Sequence, residues 1–506
     1  MRELPLRSDT LPAGADSSTF EVAVIGAGPA GSSAARLLAS WGHSVAVLGR
    51  PPRHPALAES LPPSCTKLFD QLGLRKTVDG AGFVRATGNT VQWADQKRRV
   101  ELFDVGPRGY QVGRDVFDAL LGDAARASGA TMFGDATVRG LERIGQAWRV
   151  AYDTRAGQSA VTAQWVLDCS GRAGVVARRG MRKAEVASRT TAVVGIWDSH
   201  VPWPMEDATH TLVESYDGGW AWSVPVSPHR RYVTVMLDPS VTSLPSRAGL
   251  AAAYREELSR TSALDSLVAL ATFVDSPWAC DASPYSADRV HDDHVLLVGD
   301  AASFVDPLSS FGVKKALASA WLASAVVHTA LTDATLTSPA LELFSRRERA
   351  MYVHLQRQFC NLARDAAGAH ESGFWRNRGD AVTDDSSENT EMLTALSEAR
   401  LRAAFDDLKA RPSIQLNTGA GFSLVERATV QGHRIAMQTQ IATPDIPNGM
   451  RYYRNVDLVL LHRAATQHDQ VPAIFDAYNR AAPPAPLPDF LAALSALLSL
   501  EVLSFA

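Results

Sequence analysis

The sequence predicts an α/β fold in which a Rossmann-type βαβ domain carries an inserted antiparallel sheet and is followed by a mainly helical C-terminal unit. Three observations predict this class. A strand, a glycine turn, a helix and a second strand follow one another from Phe20, turn-linked strands occupy roughly residues 190–238, and short apolar helical segments fill the C-terminal part. Because 506 residues exceed the usual size of one hydrophobic core, we expect two or three structural units.

Composition and charge exclude several classes of function. Hydrophobic residues make up 46% and charged residues 21%, as is typical of a globular protein, and no apolar run is long enough to cross a bilayer. The 50 basic and 54 acidic residues give a net charge of −4 without a basic block, which argues against nucleic acid or anionic lipid as a partner. The four cysteines are scattered without a C-x-x-C pair, so we expect no metal site, no disulfide framework and a reducing, cytoplasmic setting.

The βαβ unit follows a polar, turn-rich segment, residues 1–19, that lacks the apolar core of an export signal. We expect the folded part to start near Phe20, where "FEVAVIGAGPAGSSAARLLASWGHSVAVLGR" is typical of strand, glycine turn, helix and strand. The stretch "RDVFDALLGDAARASGATMFGDATV" predicts a further helix, ended by Gly129, and another strand.

Gly26, Gly28 and Gly31 form the pattern G-x-G-x-x-G directly after the first strand. The first glycine permits a tight turn, the second lets the backbone approach a pyrophosphate, and the third allows close helix packing. A turn that merely requires glycines is the alternative, but the strand–turn–helix context favours a dinucleotide site. At the end of the second strand, Gly49 and Arg50 replace the acidic residue expected on a ribose, so Arg50 either stacks on adenine or contacts phosphate.

The middle of the chain changes pattern. The stretches "TAVVGIW", "TLVESY", "GWAWSVPV" and "RYVTVMLD" predict a mainly antiparallel sheet, which we assign to a domain of residues 186–285. At "DDHVLLVGDAASF" a buried strand returns and leads into a long helix, so the first domain is discontinuous, residues 20–185 and 286–345. The remaining residues, 346–506, start with a long charged helix and form the third predicted domain, whose role the sequence does not indicate.

The segment "VLLVGDAASFVDPLSSFGVKKALASA" resembles the strand-Gly-Asp region of FAD-dependent monooxygenases, and its "DPLSSFG" part resembles flavin-dependent halogenases and related hydroxylases. The resemblance implies a glutathione-reductase-like FAD domain, with Asp300 on the ribityl chain and the loop from Pro307 through Gly312 to Val313 beneath the isoalloxazine. A helix beginning near Gly312 would aim backbone N–H groups at the flavin N1/O2 edge and stabilise the reduced, anionic flavin.

Two lysines, Lys314 and Lys315, lie in the first turn of that helix, where they add positive potential at the flavin or belong to a solvated face. A second dinucleotide fingerprint is not found, because "GAGF" at Gly419 lacks both the strand and the third glycine. One FAD is therefore the expected count.

Three further segments resemble the same family between residue 20 and about residue 345. The stretch "QVGRDVFDALL" resembles a helix start that contacts FAD, which implies a cofactor role for Arg114. The stretch "WVLDCSGRAG" resembles the strand end beside the adenosine, which implies roles for Asp168 and Gly171, with Arg172 next to them. The stretch "ALAESLPPSCTKLFDQLGL" resembles a loop and helix of the halogenases, with Glu59 and Ser60 near the flavin.

The stretch "GWAWSVP" resembles the W-x-W-x-I-P signature of flavin-dependent halogenases, with Val224 in place of isoleucine. Trp220 and Trp222 stand at i and i+2, so a strand places both indoles on one face. They form either a wall between flavin and substrate or part of a core.

The same resemblance to flavin-dependent halogenases indicates that two residues needed for halogenation are missing from this chain. Family halogenases resemble each other in a lysine that accepts hypohalous acid, on a strand that matches "FVRATGNTVQW" here, where Arg85 is the only basic residue. A guanidinium stays protonated and offers no free amine. Where halogenases place a carboxylate beside the substrate, this chain has Ser309 and Ser310.

The resemblance therefore favours a lysine-free hydroxylase that attacks an electron-rich aromatic ring through a flavin C4a-hydroperoxide. Such an enzyme belongs to specialised metabolism or acts on a peptide- or carrier-bound substrate, and it consumes O₂. The alternatives are a halogenase that uses Arg85 or another residue such as Lys97, and an FAD-dependent reductase or dehydrogenase.

Electrons come either from NAD(P)H that visits transiently or from a separate flavin reductase, and the halogenase-like segments favour the reductase as partner. Neither His294 nor His328 lies in a catalytic motif, so we expect both to be structural.

Overall fold

The computed structural model describes residues 18–50, 55–94, 97–103, 106–182, 189–242, 245, 249–274, 276–380, 396–411 and 413–506. The predicted polar leader, up to residue 17, lies outside these residues, and the first strand starts at Ser18. The chain divides into two compact units, Met1–His328 with Leu355–Val382 and Thr329–His354 with Thr383–Ala506. The finer division into three domains stays a prediction.

Strands of the first unit follow one another along the chain. They are β1 Ser18–Ile25, β2 Val45–Leu48, β3 Ala58–Leu61, β4 Val84–Ala86, β5 Gly88–Gln92, β6 Arg98–Leu102, β7 Gly109–Gly113, β8 Thr131–Phe133, β9 Thr137–Ile144, β10 Ala147–Thr154, β11 Gly157–Asp168, β12 Thr191–Asp198, β13 Thr211–Tyr216, β14 Gly219–Ser227, β15 Arg230–Leu237, β16 Thr272–Phe273, β17 Trp278–Asp281, β18 Tyr285–Ser286, β19 His291–Asp292, β20 Val295–Leu297 and β21 Ser303–Phe304. In the second unit the strands are β22 Leu416–Thr418, β23 Ser423–Gln431, β24 Arg434–Thr443, β25 Ile446–Met450, β26 Tyr452–Tyr453, β27 Val456–Asp457 and β28 Leu503–Phe505.

The α-helices are α1 Pro29–Ser40, α2 Cys65–Gln71, α3 Arg75–Asp79, α4 Arg114–Ala127, α5 Leu250–Leu258, α6 Ala263–Val268, α7 Gly312–Thr332, α8 Thr337–Ala367, α9 Gly373–Gly379, α10 Glu398–Lys409, α11 Leu458–Ala465, α12 Val471–Ala481 and α13 Leu487–Ser499. Short 3₁₀ turns cover Gly171–Ala173, Gly299–Ala301, Pro307–Ser309 and Ala334–Leu336. The start of α7 at Gly312 confirms the helix that the sequence predicts there.

A mostly parallel sheet carries the predicted βαβ unit, in the order β19-β20-β11-β1-β2-β8, with β10 and β9 added antiparallel to β11. Strand β1 pairs in parallel with β2 and β11, and β20 joins β11 in parallel although it follows more than a hundred residues later. The apolar runs of β1 and β2 are buried, which explains why they read as continuous rather than alternating hydrophobic stretches. The α/β fold class is confirmed.

The second sheet has the order β16-β12-β15-β14-β13-β5-β6, with β17 on β12. Strands β12 to β15 are antiparallel, as the turn-linked segments predict. The sheet also recruits β5 and β6 from an earlier part of the chain, and β5 pairs in parallel with β13. This addition, which the sequence does not indicate, builds one wall of the site below.

One expectation about this region is wrong. The stretch from Phe83 to Trp93 is not a single strand: β4 belongs to a small sheet, β3-β7-β4, and β5 belongs to the second sheet. The change occurs at Gly88, where an added Cβ would lie 2.4 Å from the carbonyl oxygen of Glu101 on β6. Only glycine lets β5 approach β6 so closely at this point.

The second unit combines helices with a three-stranded antiparallel sheet, β23-β24-β25. Its core packs α11, α12 and α13 around Tyr478 and Phe490, with Ile441 contributed by β24. The predicted helical C-terminal region is confirmed, and the sheet is an addition to it. Among the described residues, no helix combines the length and the hydrophobicity needed to span a bilayer.

We expect the substitution Gly88→Val to lower the free energy of unfolding by about 1–3 kcal/mol, because the new side chain collides with the backbone of β6. A matched control is Gly140→Val in β9, since an added Cβ there meets nothing within 4 Å. Urea unfolding of both variants measures the difference. Equal midpoints would show that β6 adjusts at little cost.

Candidate active site

The turn between β1 and α1 forms the floor of the first cavity. Gly26 has φ 106°, which favours glycine, and an added Cβ on Gly31 would lie 1.9 Å from the carbonyl oxygen of Gly26. Gly28 precedes α1 in an extended conformation, and the nearest atom to an added Cβ, Arg114 Nη2, lies 3.8 Å away. The first N–H groups of α1 have no side-chain cap, so they are available to an anion.

A cavity of about 510 Å³ extends from this turn. Many residues predicted to bind the cofactor line it: Gly26, Gly28, Arg50, Glu59, Arg114, Gly171, Asp300, Pro307, Gly312 and Val313. The predicted serine Ser310 also lines it. A long, open cavity that starts at a glycine turn and ends at the N-terminus of α7 has the form that an extended dinucleotide requires. The residues present therefore fit FAD.

Asp168 and Gly31 shape this cavity from behind rather than line it. Asp168 is fully buried, and its Oδ1 accepts hydrogen bonds from the backbone N–H and hydroxyl of Ser170 at 3.1 and 2.5 Å. Its Oδ2 accepts from the N–H groups of Val176 and Ala177 at 2.8 and 3.0 Å. Because both carboxylate oxygens are used inside the protein, Asp168 holds the turn at Gly171 that faces the cavity.

Arg114 is held by carboxylates at the edge of the cavity. Its guanidinium donates to Asp118 at 2.8 and 2.9 Å and to Glu59 Oε1 at 3.3 Å. Burial acts to lower the pKa of Arg114, but Asp118, Glu59 and Asp300 outweigh it, and the pKa is raised. Burial raises the pKa of Glu59, an effect that Arg114 opposes. Arg114 thus fixes the position of Glu59 beside the cofactor space.

Lys315 is buried and donates from Nζ to three oxygens: the Gly299 carbonyl at 3.1 Å, Asp300 Oδ1 at 3.2 Å and the Ser303 carbonyl. These bonds connect the first turn of α7 to the turn that carries Asp300. Lys314 lies over the Phe311 ring at 4.4 Å, and burial lowers its pKa. Lys315 is therefore a structural cation of the cavity rather than part of a solvated face.

A second cavity of about 240 Å³ lies on the other side of the loop that precedes α7. Ser310 and Phe311 line both cavities, and Ser60 lines only the second. Its other lining residues are Pro62, Asn89, Val91, Trp93, Arg99, Glu101, Phe103, Thr211, Val213, Leu308 and Leu362. Apolar and aromatic side chains with a few polar groups are typical of a substrate site.

The loop shared by the two cavities is conformationally restricted. Ser310 has φ 51°, a left-handed conformation that residues other than glycine adopt at a cost. The side chain of Ser309 lies outside the described part of the chain, so its predicted role stays a prediction.

Trp220 and Trp222 stack with ring centroids 4.6 Å apart and an interplanar angle of 23°. Trp220 is 1% exposed, and the pair packs in a cluster with Trp93 and Leu308. Trp93 and Leu308 line the second cavity, whereas the stacked pair is absent from the described lining of both cavities. The two tryptophans therefore support the substrate wall from behind.

Arg85, the candidate for halogen transfer, lies on β4 away from both cavities. Its Nη1 donates to Asp79 Oδ1 at 2.6 Å, and its guanidinium lies 4.0 Å from the centre of the Tyr110 ring. The Tyr110 hydroxyl, with Arg75 and Arg85, holds the pKa of Asp79 at about 2. Neither Arg85 nor Lys97 appears in the described lining of either cavity.

The two histidines also lie outside the described cavity linings. His294 stacks on Trp165 at 4.5 Å, and His328 Nδ1 lies 2.8 Å from His43 Nε2.

Sequence reasoning missed the contribution of β6, whose Arg99 and Glu101 line the second cavity together with Phe103, the residue that follows the strand. The period-two spacing of these residues was the available signal. It is weak, because β6 is short and exposed.

Comparison with known proteins supports this description. The model of the family described as "FAD binding domain" matches residues 19–334. A tryptophan 2-halogenase from Chondromyces crocatus is 28% identical over 342 residues, which cover 65% of this chain and 65% of that protein. The chain thus spans slightly less than two thirds of the length of this relative.

Two solved structures are similar over most of the chain. One is CmlS, a flavin-dependent halogenase, with a TM-score of 0.77, 22% identity, and coverage of 96% of each chain. The other is the peptidyl tryptophan dihydroxylase QhpG, with a TM-score of 0.67, 21% identity, and coverage of 96% of this chain and 99% of that chain. At these identities the likeness shows the fold.

The resemblance noted from the sequence is confirmed, because curated relatives are flavin-dependent halogenases and the structural neighbours include hydroxylases. The glycine turn, the Asp300 turn and the start of α7 converge on one cavity, and the family match covers more than half of the chain. The chain belongs to the FAD-binding domain family, and FAD is its cofactor.

Proposed function

We propose that the protein is an FAD-dependent monooxygenase that hydroxylates an electron-rich aromatic ring with oxygen from O₂, and that a separate flavin reductase supplies the electrons. The observation that carries the proposal is the composition of the second cavity, which meets the cofactor cavity at Ser310 and Phe311. Among its described lining residues the only basic one is Arg99, whose guanidinium stays protonated. Direct oxygen transfer needs no amine in this space.

When bound and reduced, FAD supplies the activation of O₂. The protein's own residues prepare the site for that chemistry. The N-terminus of α7 and the buried ammonium of Lys315 provide positive potential at the end of the cavity, which favours a negatively charged ligand edge. Trp93, Phe103 and Phe311 give the second cavity aromatic surfaces that fit a flat ring.

Asp306 is the carboxyl group that precedes the shared loop, and it lines the cofactor cavity. Its Oδ1 accepts a hydrogen bond from the Leu308 N–H at 3.1 Å. Burial raises the pKa of Asp306 to about 7, although the Leu308 N–H, Arg378 and the Trp220 indole N–H oppose this effect. Below that pH the carboxyl holds a proton.

Halogenation is the second candidate. The identity to a tryptophan 2-halogenase and the tryptophan pair at Trp220 and Trp222 favour it. It would require an amine other than Arg85, which is held in an ion pair outside the described cavity linings.

The product distinguishes the two functions. We expect the FAD-loaded protein, supplied with a flavin reductase under ¹⁸O₂ and with chloride and bromide present, to add ¹⁸O to an accepted aromatic compound and to add no halogen. Suitable probes are indoles and phenols, free and within short peptides, analysed by mass spectrometry with a flavin reductase as electron source. A control without reductase should give no product. Halogenated product would contradict the proposal.

FAD affinity tests the assignment of the cofactor cavity. We expect Lys315→Met to weaken FAD binding about 10- to 100-fold, because charged hydrogen bonds that hold the Asp300 turn are lost, at about 1.5–3 kcal/mol. The matched variant Lys314→Met keeps those bonds and should bind FAD within a few-fold of the parent. Equilibrium titration with FAD measures both. Equal FAD affinities of the two variants would show that Lys315 does not contribute to FAD binding.

The raised pKa of Asp306 predicts a pH dependence of stability. Because its folded pKa of about 7 lies above the unfolded value of about 3.9, folding takes up a proton between these pH values. We expect stability to decrease as pH rises through this window, by at most about 1.4 kcal/mol per pH unit, and this component to vanish in Asp306→Asn. Urea unfolding of both proteins from pH 4 to pH 8 measures it. Parallel curves would show that Asp306 is ionised throughout.

A further inference from the structure

Strand β6, Arg98–Leu102, is an edge strand of the second sheet. It pairs with β5 on one side, and no described strand pairs with its other side. All five of its residues are exposed, and Val100 and Leu102 are 42% and 69% exposed. Natural proteins usually protect such an edge, because its free N–H and C=O groups accept another strand.

The register shows which backbone groups are free. The N–H of Phe103 donates to the carbonyl of Thr87 at 2.9 Å, and the pairing continues with Asn89 opposite Glu101. In an antiparallel pair, hydrogen-bonded and non-hydrogen-bonded positions alternate. The N–H and C=O groups of Arg98, Val100 and Leu102 therefore point away from β5, toward the open edge.

The side chains of β6 alternate in the same way. Arg99, Glu101 and Phe103 line the second cavity, and Arg99 Nε donates to Glu101 Oε1 at 2.8 Å on that face. A strand placed beside β6 would present alternate side chains to the same face. The cavity, about 240 Å³, is smaller than the range of roughly 300–1,000 Å³ usual for complete small ligands, so it suits one side chain of a larger molecule.

We propose that β6 is the docking edge for the substrate, which is an extended peptide that adds to the sheet as a strand and places one aromatic side chain in the second cavity. This inference rests on the proposed function and names its substrate class. Main-chain hydrogen bonds to Arg98, Val100 and Leu102 supply affinity, and the cavity selects the side chain to be oxidised. A second copy of this chain fits less well, because its β6, Arg98–Leu102, carries no aromatic side chain to place in the cavity.

The test uses the FAD-loaded full chain and a pool of seven-residue peptides with a central tryptophan, random flanking residues and blocked ends. Retention of the pool on immobilised protein is measured by mass spectrometry without reductant. We expect Val100→Pro, which removes one outward N–H, to reduce retention at least tenfold. The control Val100→Thr keeps that N–H and should stay within twofold of the parent. FAD binding and thermal unfolding confirm the fold of both variants.

A second measurement leaves the protein unchanged. Two series of the retained peptides carry N-methyl groups on alternate backbone amides, either on the odd or on the even positions. Only one series should lose retention, because a strand directs every second N–H to its neighbour. Equal retention of the two series, equal retention by Val100→Pro and Val100→Thr, or no retained peptide would overturn the proposal. A dimer in light scattering that Val100→Pro abolishes would assign the edge to a second copy and overturn it as well.

Binding and chemistry are read separately. Because retention is measured without reductant, it does not depend on oxygen transfer. Retained peptides are then treated with reductase and ¹⁸O₂. Retention without added oxygen would contradict the proposed function and leave the docking edge in place. Oxidation of free indoles without peptide retention would support the proposed function and contradict the docking edge.

Discussion

The close approach between Gly26 and Gly31 is the constraint on which the site depends. Any Cβ at position 31 would lie 1.9 Å from the Gly26 carbonyl oxygen. The glycine turn after β1 can therefore pack against the start of α1 only if residue 31 has no side chain. This packing aims the N-terminus of α1 into the cofactor cavity, which is also lined by Asp300 in the turn after β20. The position of the cofactor space follows from one steric contact.

Local sequence signals predicted the parts of the site that depend on local conformation. The glycine pattern, the helix start at Gly312 and the strand that carries Trp220 and Trp222 each depend on a few adjacent residues. The contacts of Lys315 with Ser303 and of β5 with β13 depend on chain segments that meet only in the folded protein. No periodicity or propensity encodes such pairings, so the second cavity could not be derived from the sequence.

The loop with Ser310 and Phe311 relates the two cavities to each other. Ser310 has a left-handed conformation and follows a 3₁₀ turn. The two adjacent residues Ser310 and Phe311 therefore separate the cofactor cavity from the second cavity. The buried Asp306 precedes this loop, and the stacked tryptophans support the pocket from behind. A single short segment thus lines both cavities, and its conformation determines how closely the two spaces approach each other.

The transfer of the chain from one sheet to another at Gly88 limits how this enzyme can evolve. Arg85 stands before the transfer, in the small sheet, and its ion pair with Asp79 keeps it there. A lysine at position 85 would inherit that location, so this substitution alone would not place an amine in the second cavity. New reactivity would have to arise on β5, β6 or the shared loop, whose side chains already face it.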